Sequence, residues 1–189
     1  MPIRITGGLL RGRNVPSPET SKTRPTGSRT REALFNILQG VEGFRMLDLF
    51  AGTGIMGIEA LSRGAAHVVA VEMAHSQARL VYQAYKALSL DKQVTLYEKN
   101  ALTLDKESIC AEEGFDLIYA DPPFKDMEYP DLRKYWEWLN PKGVAVFEAP
   151  SRNLPAWAKE ASDEGKLQIR RYGESSLLVY RAPTAQCEM

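Results

Sequence analysis

Short apolar segments alternate with longer segments along most of this 189-residue chain. Each apolar segment is rich in Val, Ile, Leu or aromatic residues and suits a strand buried on both faces. The segments between them are long enough for helices, and strands alternating with helices favour a mostly parallel sheet in an α/β fold. The predicted strands are RMLDLF (45–50), HVVAVE (67–72), QVTLYE (93–98), FDLIYA (115–120) and GVAVFEA (143–149), and the predicted helices cover 54–64, 74–90 and 128–140.

Both ends of the chain depart from this alternation. Residues 166–172 and 175–181 predict a C-terminal hairpin, so we expect the last of seven strands to run antiparallel. Residues 3–15 predict a small β-hairpin with its turn near Gly7–Gly8, and residues 28–38 predict a helix with Ser28 as its N-cap. The predicted organisation is a basic appendage over 1–40, an α/β core over 41–183 and a tail over 184–189.

A glycine-rich loop, DLFAGTGIMG (48–57), joins the first core strand to the first core helix. Gly52, Gly54 and Gly57 match the pattern G-x-G-x-x-G, in which glycines permit a tight turn and a close approach of a ligand to the backbone. Glu72 ends the next predicted strand, where a carboxylate can accept hydrogen bonds from ribose hydroxyls. Together these features predict a nucleoside-containing cofactor at the carboxyl ends of the strands.

The glycine pattern alone does not identify the nucleoside. NAD would place a pyrophosphate at the helix N-terminus, whereas S-adenosylmethionine carries cationic sulfonium and ammonium groups that favour carboxylates. Asp48 lies just before the loop and suits the cationic cofactor. Asn100 ends the third strand, where it either pairs with an adenine edge or caps a helix. The predicted cofactor-binding set is Asp48, Phe50, Gly52, Thr53, Gly54, Glu72, Asn100 and Ala101.

The motifs of this chain occur in the order and spacing of class I S-adenosylmethionine-dependent methyltransferases. They are DLFAGTG, Glu72, Asn100 and DPPF (121–124). DPPF resembles the (D/N)PP(Y/F) signature of those enzymes that methylate a nitrogen conjugated to a planar system. Such nitrogens are the exocyclic amines of bases and the side-chain amide of glutamine. The resemblance implies a Rossmann-like fold and S-adenosyl-L-methionine as the methyl donor.

DPPF has the chemistry that such an amine requires. The lone pair of an exocyclic amine is delocalised, and it becomes reactive when acceptors hold the amine hydrogens. Asp121 offers a carboxylate and Pro122 a carbonyl, while two successive prolines restrict the backbone so that both acceptors are preorganised. Phe124 can stack on a splayed-out base. The predicted catalytic residues are Asp121, Pro122, Pro123 and Phe124, and the methyl transfer is in line, without a covalent enzyme intermediate.

Basic side chains are concentrated at the N-terminus, although the whole chain has a formal net charge of zero. Residues 1–31 carry seven Arg and Lys side chains against a single acid, Glu19. Such an arm suits a polyanionic partner and favours phosphate contacts, unless it is only a solvated basic surface. The candidate RNA contacts are Arg11, Arg13, Arg24 and Arg29, with Thr26 near the site.

The arm narrows the resemblance further. Nearly the whole chain resembles the RsmD family, which are bacterial methyltransferases of 16S ribosomal RNA. The segments that carry this resemblance are RITGGLLRGRNVP, TRPTGSRTREALFNIL, DLFAGTGIMGIEALSRGA, DPPF and YGESSLLVYR. The family implies methylation of the exocyclic N2 amine of a specific guanine, giving N2-methylguanosine. It also implies that the 16S rRNA is presented in a small ribosomal subunit or an assembly intermediate. We expect a cytoplasmic monomer.

Other functions stay open on the residues alone. DPPF also fits methylation of adenine N6 in DNA or of a protein glutamine. A NAD(P)-dependent oxidoreductase would use the glycines and Glu72 but would give Asp48 and DPPF no role. A catalytically silent RNA-binding module would use neither the cofactor residues nor DPPF. No apolar run is long enough for a membrane helix, and Cys110 and Cys187 fit no metal motif, so neither a membrane nor a metal is expected.

Overall fold

The structure is a computed structural model that describes residues 3–15, 27–109, 113–123 and 129–184. The chain divides into two compact units, Met1–Asp105 and Lys106–Met189. Among the helices of the described residues, none combines the length and the apolar character that crossing a lipid bilayer requires. The boundary expected near residue 40 stays a prediction.

The first unit contains an N-terminal hairpin followed by three parallel strands. The strands of the hairpin pair antiparallel, with Ile3 beside Val15. The three later strands pair parallel, so their carboxyl ends lie at the same edge. The elements are β1 (Ile3–Arg4), β2 (Asn14–Val15), α1 (Ser28–Leu38), β3 (Arg45–Asp48), α2 (Ile55–Ser62), β4 (His67–Val71), α3 (His75–Ala87) and β5 (Val94–Tyr97), with 3-10 helices at Asp91–Gln93 and Ala101–Thr103.

The second unit contains a parallel strand pair and a C-terminal hairpin. Its elements are β6 (Phe115–Ala120), a 3-10 helix (Arg133–Trp138), β7 (Leu139–Pro150), α4 (Ala156–Asp163), β8 (Leu167–Tyr172) and β9 (Ser175–Arg181). β6 and β7 pair parallel, whereas β9 pairs antiparallel with both β7 and β8. The predicted C-terminal hairpin is therefore confirmed.

Strands β3 to β9 form a seven-stranded sheet in the order β5-β4-β3-β6-β7-β9-β8. The predicted α/β fold, with its mostly parallel sheet and antiparallel last strand, is confirmed. The inner strands carry branched and aromatic side chains that are buried on both faces, as in Val68 to Val71 of β4. The small N-terminal hairpin is also present, although its strands have only two residues each and its connection extends over 5–13.

Three local predictions were wrong or incomplete. Instead of an α-helix over 128–140, the structure has the short 3-10 helix, because Leu132, Tyr135 and Trp138 are buried at a spacing of three residues. The helix α4 was not predicted. Ser28 is the first residue of α1 and not its N-cap, since Gly27 occupies the cap position without a side-chain hydrogen bond.

Buried polar contacts attach the N-terminal hairpin and α1 to α2. The carboxylate of Glu59, in α2, accepts hydrogen bonds from the Thr6 backbone N–H at 2.7 Å and from the Arg31 guanidinium at 3.2 Å, and it also pairs with Arg63 at 3.4 Å. Ser62 donates to the Gly7 carbonyl at 2.6 Å and accepts from the Leu10 N–H at 2.9 Å. The hairpin is therefore held on the outer end of the helix that follows the glycine loop.

Candidate functional site

Three of the predicted cofactor-binding side chains lie at the carboxyl edge of the first unit's parallel strands. Asp48 is the last residue of β3, Glu72 directly follows β4, and Asn100 follows β5. β3 pairs parallel with β4, and β4 with β5, in a register that places Asp48 beside Ala70 and Val71 beside Tyr97. The structure therefore brings these side chains to one edge, as the sequence predicts.

The carboxyl group of Asp48 is buried at the end of β3. Its residue is 1% exposed, and neither carboxylate oxygen has a partner of normal geometry among the residues that the structure describes. Burial raises the pKa of Asp48 to about 7, the nearby backbone N–H groups of Phe50 and Gly57 oppose this rise, and the negative charge of Glu72 adds to it. Such a carboxylate is stabilised by a cationic ligand group.

The glycine loop has the backbone conformation that its glycines permit. Gly52 has a φ of 54° and Gly54 a φ of 76°, both in the left-handed region that glycine adopts readily. Gly54 is the N-cap residue of α2, and its N–H donates to the Ala51 carbonyl at 2.7 Å. The loop therefore turns sharply from β3 into the helix, with Phe50, Gly52 and Thr53 half-buried.

Glu72 supports this loop directly. One carboxylate oxygen of Glu72 accepts a hydrogen bond from the Gly52 N–H at 3.1 Å, and the other accepts from the Ala74 N–H at 2.9 Å. The side-chain amide of Gln77 donates to the Gly52 carbonyl. Glu72 is thus a loop anchor as well as the predicted ribose contact, and Gln77 is a further supporting residue that the sequence pattern did not indicate.

Gly57 has a different role from the other two glycines of the pattern. A Cβ atom at Gly57 would overlap the Tyr85 hydroxyl and would lie 2.8 Å from Val68. Gly57 therefore allows α2 to pack closely on α3 and β4, which is an internal contact of the protein.

The structure resolves one alternative for Asn100. Its side-chain oxygen accepts a hydrogen bond from the Leu102 N–H at 2.9 Å and caps the 3-10 helix at Ala101–Thr103. The capping role is present, and pairing of its amide with adenine stays a prediction. Next to the predicted contacts Glu72 and Ala101 lie two exposed apolar side chains, Met73 and Leu102.

The acidic side chains at this edge distinguish between S-adenosylmethionine and NAD. A buried, unpaired carboxylate directly before the loop would repel a pyrophosphate and attract an ammonium or sulfonium group. Glu72 beside the loop adds a second acidic group. The residues of the first unit therefore fit S-adenosylmethionine and do not fit NAD.

The second unit carries the DPPF motif at the end of β6. Asp121 is half-buried and directly follows the last strand residue, Pro122 is buried and Pro123 is exposed. Phe124 lies outside the described residues. Because Ala120 pairs with Phe147 of the parallel strand β7, the next residues in each strand, Asp121 and Glu148, lie at the same strand edge.

Glu148, which follows the β7 partner of Ala120, accepts hydrogen bonds from two tyrosines, and sequence reasoning missed all three residues. The Tyr119 hydroxyl donates to the buried Glu148 carboxylate at 3.1 Å, and the Tyr129 hydroxyl donates to the Glu148 carbonyl at 2.9 Å. Burial, and then the negative charges of Asp121 and Glu148, raise the pKa of Tyr129. The available signal was an acid inside the apolar run GVAVFEA, at the carboxyl end of a predicted parallel strand.

The predicted RNA contacts are described only in part. Arg11, Arg13 and Arg29 are exposed, whereas Arg24 and Thr26 lie outside the residues that the structure describes. Arg31, which contributes to the basic charge of the arm, is buried against Glu59 and donates to the Arg4 carbonyl at 2.8 Å. Arg31 is therefore a structural residue of the appendage.

Comparisons with known proteins extend over most of the chain. A protein family described as "Conserved hypothetical protein 95" matches residues 3–181. YlbH of Bacillus subtilis (strain 168), whose name proposes an rRNA methyltransferase, is 35% identical over 95% of this chain and 98% of its own length. "Ribosomal RNA small subunit methyltransferase D" of Escherichia coli (strain K12) is 40% identical, in a match that covers 65% of this chain and 61% of that enzyme.

A solved structure supports the fold. The chain is similar to the Thermus thermophilus 16S rRNA N2 G1207 methyltransferase RsmC in complex with AdoMet and guanosine, with a TM-score of 0.73 and 22% identity over 96% of this chain and 50% of that one. A likeness at this identity shows the class I methyltransferase fold and no more. From the family match and the curated relatives, the chain belongs to the RsmD family of methyltransferases, the family described as "Conserved hypothetical protein 95".

Proposed function

We propose that this protein transfers a methyl group from S-adenosyl-L-methionine to the exocyclic N2 amine of a guanine in 16S rRNA. The observation that carries the proposal is the buried carboxylate of Asp48 directly before the glycine loop, in a chain of the RsmD family. Among the described residues this carboxylate has no hydrogen-bond partner of normal geometry. That carboxylate matches the ammonium group of the donor. The family membership and the DPPF motif match a planar amine as the acceptor.

The first unit supplies the binding groups for the donor, which brings a methyl group activated by its sulfonium. Asp48 holds the ammonium group, and Glu72 accepts bonds from the ribose hydroxyls while it keeps Gly52 in its left-handed turn. Met73 and Leu102 offer exposed apolar surface beside these residues, and it suits the faces of an adenine ring. Phe50, Thr53, Gly54, Asn100 and Ala101 complete the proposed set.

The second unit supplies the acceptors for the amine. Asp121 and the Pro122 carbonyl accept the two hydrogens of the N2 amine, which draws its lone pair out of conjugation and towards the methyl group. Asp121 need not remove a proton first, because positive charge develops on the nitrogen as its bond to the methyl group forms and the bond between the methyl group and sulfur breaks. The nitrogen would then release one proton to Asp121, with S-adenosylhomocysteine as the leaving group. The proline pair holds the acceptors in place, and Phe124 stacks on the guanine. The rate enhancement then comes mainly from positioning.

The basic appendage is proposed to bind the RNA. Arg11, Arg13 and Arg29 are exposed and available for phosphate contacts, and Arg24 and Thr26 belong to the same proposed set. We place the enzyme in the cytoplasm as a monomer, acting on small ribosomal subunits or their assembly intermediates. The domain division at residue 40 would then separate RNA binding from catalysis.

The decisive experiment follows methyl label from the donor into nucleosides. The protein is incubated with undermethylated small subunits, free 16S rRNA or plasmid DNA, and each nucleic acid is digested. We expect label in N2-methylguanosine from the ribosomal substrates. Asp121→Ala should reduce this label about 100- to 1000-fold while S-adenosylhomocysteine still binds, and Asp163→Asn in α4 serves as the matched control.

The other outcomes are equally specific. Label in N6-methyladenosine would agree with the proposed mechanism but refute guanine N2 as the methylated amine. Tight binding of S-adenosylhomocysteine without transfer to any nucleic acid would indicate that the methyl acceptor is a protein amide. Thermal stabilisation by NADH and not by S-adenosylhomocysteine would overturn the cofactor.

A further inference from the structure

The hydroxyl group of Tyr85, in α3, has no role in the proposed mechanism, yet it is buried against Gly57 of the glycine-rich segment. Tyr85 is 0% exposed, and its hydroxyl has no hydrogen-bond partner among the described residues. A buried donor without an acceptor is costly, so such groups almost always have a partner in the functional state of a protein.

The position of this hydroxyl is defined by its neighbours in the first unit. It contacts the backbone of Gly57 so closely that a Cβ atom there would overlap it. The N–H of the same Gly57 faces the Asp48 carboxylate. The Tyr85 ring also packs against the glycine loop, because a Cβ atom at Gly54 would lie 3.1 Å from it. The Tyr85 hydroxyl and both Asp48 carboxylate oxygens are buried without a hydrogen-bond partner of normal geometry among the described residues. Burial, and then the charge of Asp48, raise the pKa of Tyr85.

The two groups are complementary in hydrogen bonding. A phenol has one hydrogen to donate, and a carboxylate accepts several hydrogen bonds but donates none when ionised. A hydrogen bond from the phenol would satisfy one oxygen of Asp48 and leave the other oxygen for a further partner. It would also stabilise the ionised form, which the cationic group of the ligand requires.

We propose that Tyr85 is a positioning residue of the cofactor site, whose hydroxyl donates to the Asp48 carboxylate, directly or through one buried water, and so orients Asp48 towards the ammonium group of the cofactor. This inference rests on the proposed function only in taking S-adenosylmethionine as the cofactor. It gives Gly57 a second purpose, since any larger residue there would displace the hydroxyl.

The test is a double-mutant cycle on the binding of S-adenosylhomocysteine, which retains the ammonium group. Binding is measured by calorimetry for the wild type, Tyr85→Phe, Asp48→Asn and the double variant. We expect Tyr85→Phe to weaken binding about tenfold, the effect of one hydrogen bond to a charged group. The double variant should bind no more weakly than Asp48→Asn alone, because Tyr85 acts through Asp48.

The control is Tyr82→Phe, which makes the same change at an exposed position of α3. Tyr82→Phe should bind like the wild type. The cofactor-free Tyr85→Phe protein should remain folded, because it retains the packing of its ring.

Two results would overturn the inference. They are wild-type affinity in Tyr85→Phe, or a loss that adds fully to that of Asp48→Asn. Failure of the wild type itself to bind S-adenosylhomocysteine would refute the cofactor assignment instead, so the two proposals can fail separately.

Discussion

In the proposed function, Asp48 is one side chain at the end of a strand that determines the kind of ligand the glycine loop accepts. Glycine loops after a first strand serve several nucleoside cofactors, and their backbone alone does not separate these. A buried carboxylate without a partner separates them, because its charge is stabilised by a cation and destabilised by a pyrophosphate. The position of Asp48 was predictable from the sequence, whereas its burial and its lack of a partner required the structure.

The raised pKa of Asp48 predicts an unusual pH dependence of stability. In the folded protein this pKa is about 7, above the ordinary value of 3.8 for an exposed aspartate. Between about pH 4 and pH 7 the folded state therefore retains a proton that the unfolded state has released. The contribution of Asp48 to the unfolding free energy falls as the pH rises through this window, and it levels off above pH 7.

Asp48→Asn should remove that dependence. The difference in unfolding free energy between Asp48→Asn and the wild type is expected to grow in favour of the variant by up to about 4 kcal/mol from pH 4 to pH 8. Urea denaturation at several pH values measures it, with Asp91→Asn as the control. Parallel pH curves for Asp48→Asn and the wild type would contradict the expectation.

Elements differ in how far local sequence determines them. The parallel strands were predictable because each is a short, bounded apolar run, and this signal does not depend on distant residues. The segment 132–138 was not predictable as a 3-10 helix, because its three-residue burial spacing becomes visible only when Leu132, Tyr135 and Trp138 are packed. Trp136, in the same segment, stacks on Tyr180 at a centroid distance of 4.0 Å, which is a contact between residues far apart in the sequence.

The acidic residues of the candidate site show the same division. Glu72 and Asp121 follow recognisable strands and were predicted. Glu148 was not, because an acid within an apolar run gives no indication that Tyr119 and Tyr129 will donate to it. Likewise, Arg31 was indistinguishable by sequence from the exposed arginines of the arm, since only its pairing with Glu59 separates it from them.

The buried carboxylate of Glu59, in α2, contributes to the stability of the protein by pairing with Arg31. Glu59→Gln should destabilise the protein by about 3 kcal/mol, because the buried guanidinium of Arg31 would lose its charged partner. Urea denaturation measures the loss, and Glu32→Gln, an exposed acid on α1, is the control. Equal stability of the two variants would mean that the Glu59 pairs do not hold the appendage.

At the scale of the whole molecule, charge is separated although the total is zero. Residues 1–31 carry a net positive charge and the rest of the chain a net negative one, so attraction to RNA is concentrated at one end of the sequence. Replacing both Arg11 and Arg13 by Gln should weaken binding to free 16S rRNA. It should also lower the slope of log affinity against log salt by about 2, since each phosphate contact contributes a slope of about 1.

The measurement is a binding titration at several KCl concentrations. Affinity for S-adenosylhomocysteine should not change in this double variant. Replacing Arg170 and Arg171, exposed on β8, by Gln provides the matched control, and it should leave the salt slope unchanged. An unchanged slope in the Arg11 and Arg13 variant would remove these two residues from the RNA interface.

The attachment of the N-terminal hairpin to α2 has a consequence for how this family can diversify. Thr6, Gly7, Leu10 and Arg31 bond to Glu59 and Ser62, so the appendage and the helix recognise each other through buried polar groups. A descendant that acquired a foreign appendage by recombination at residue 40 would inherit an α2 whose acid and hydroxyl had lost their partners. We therefore expect substrate-binding arms to be exchanged between lineages only together with the helix that follows the glycine loop.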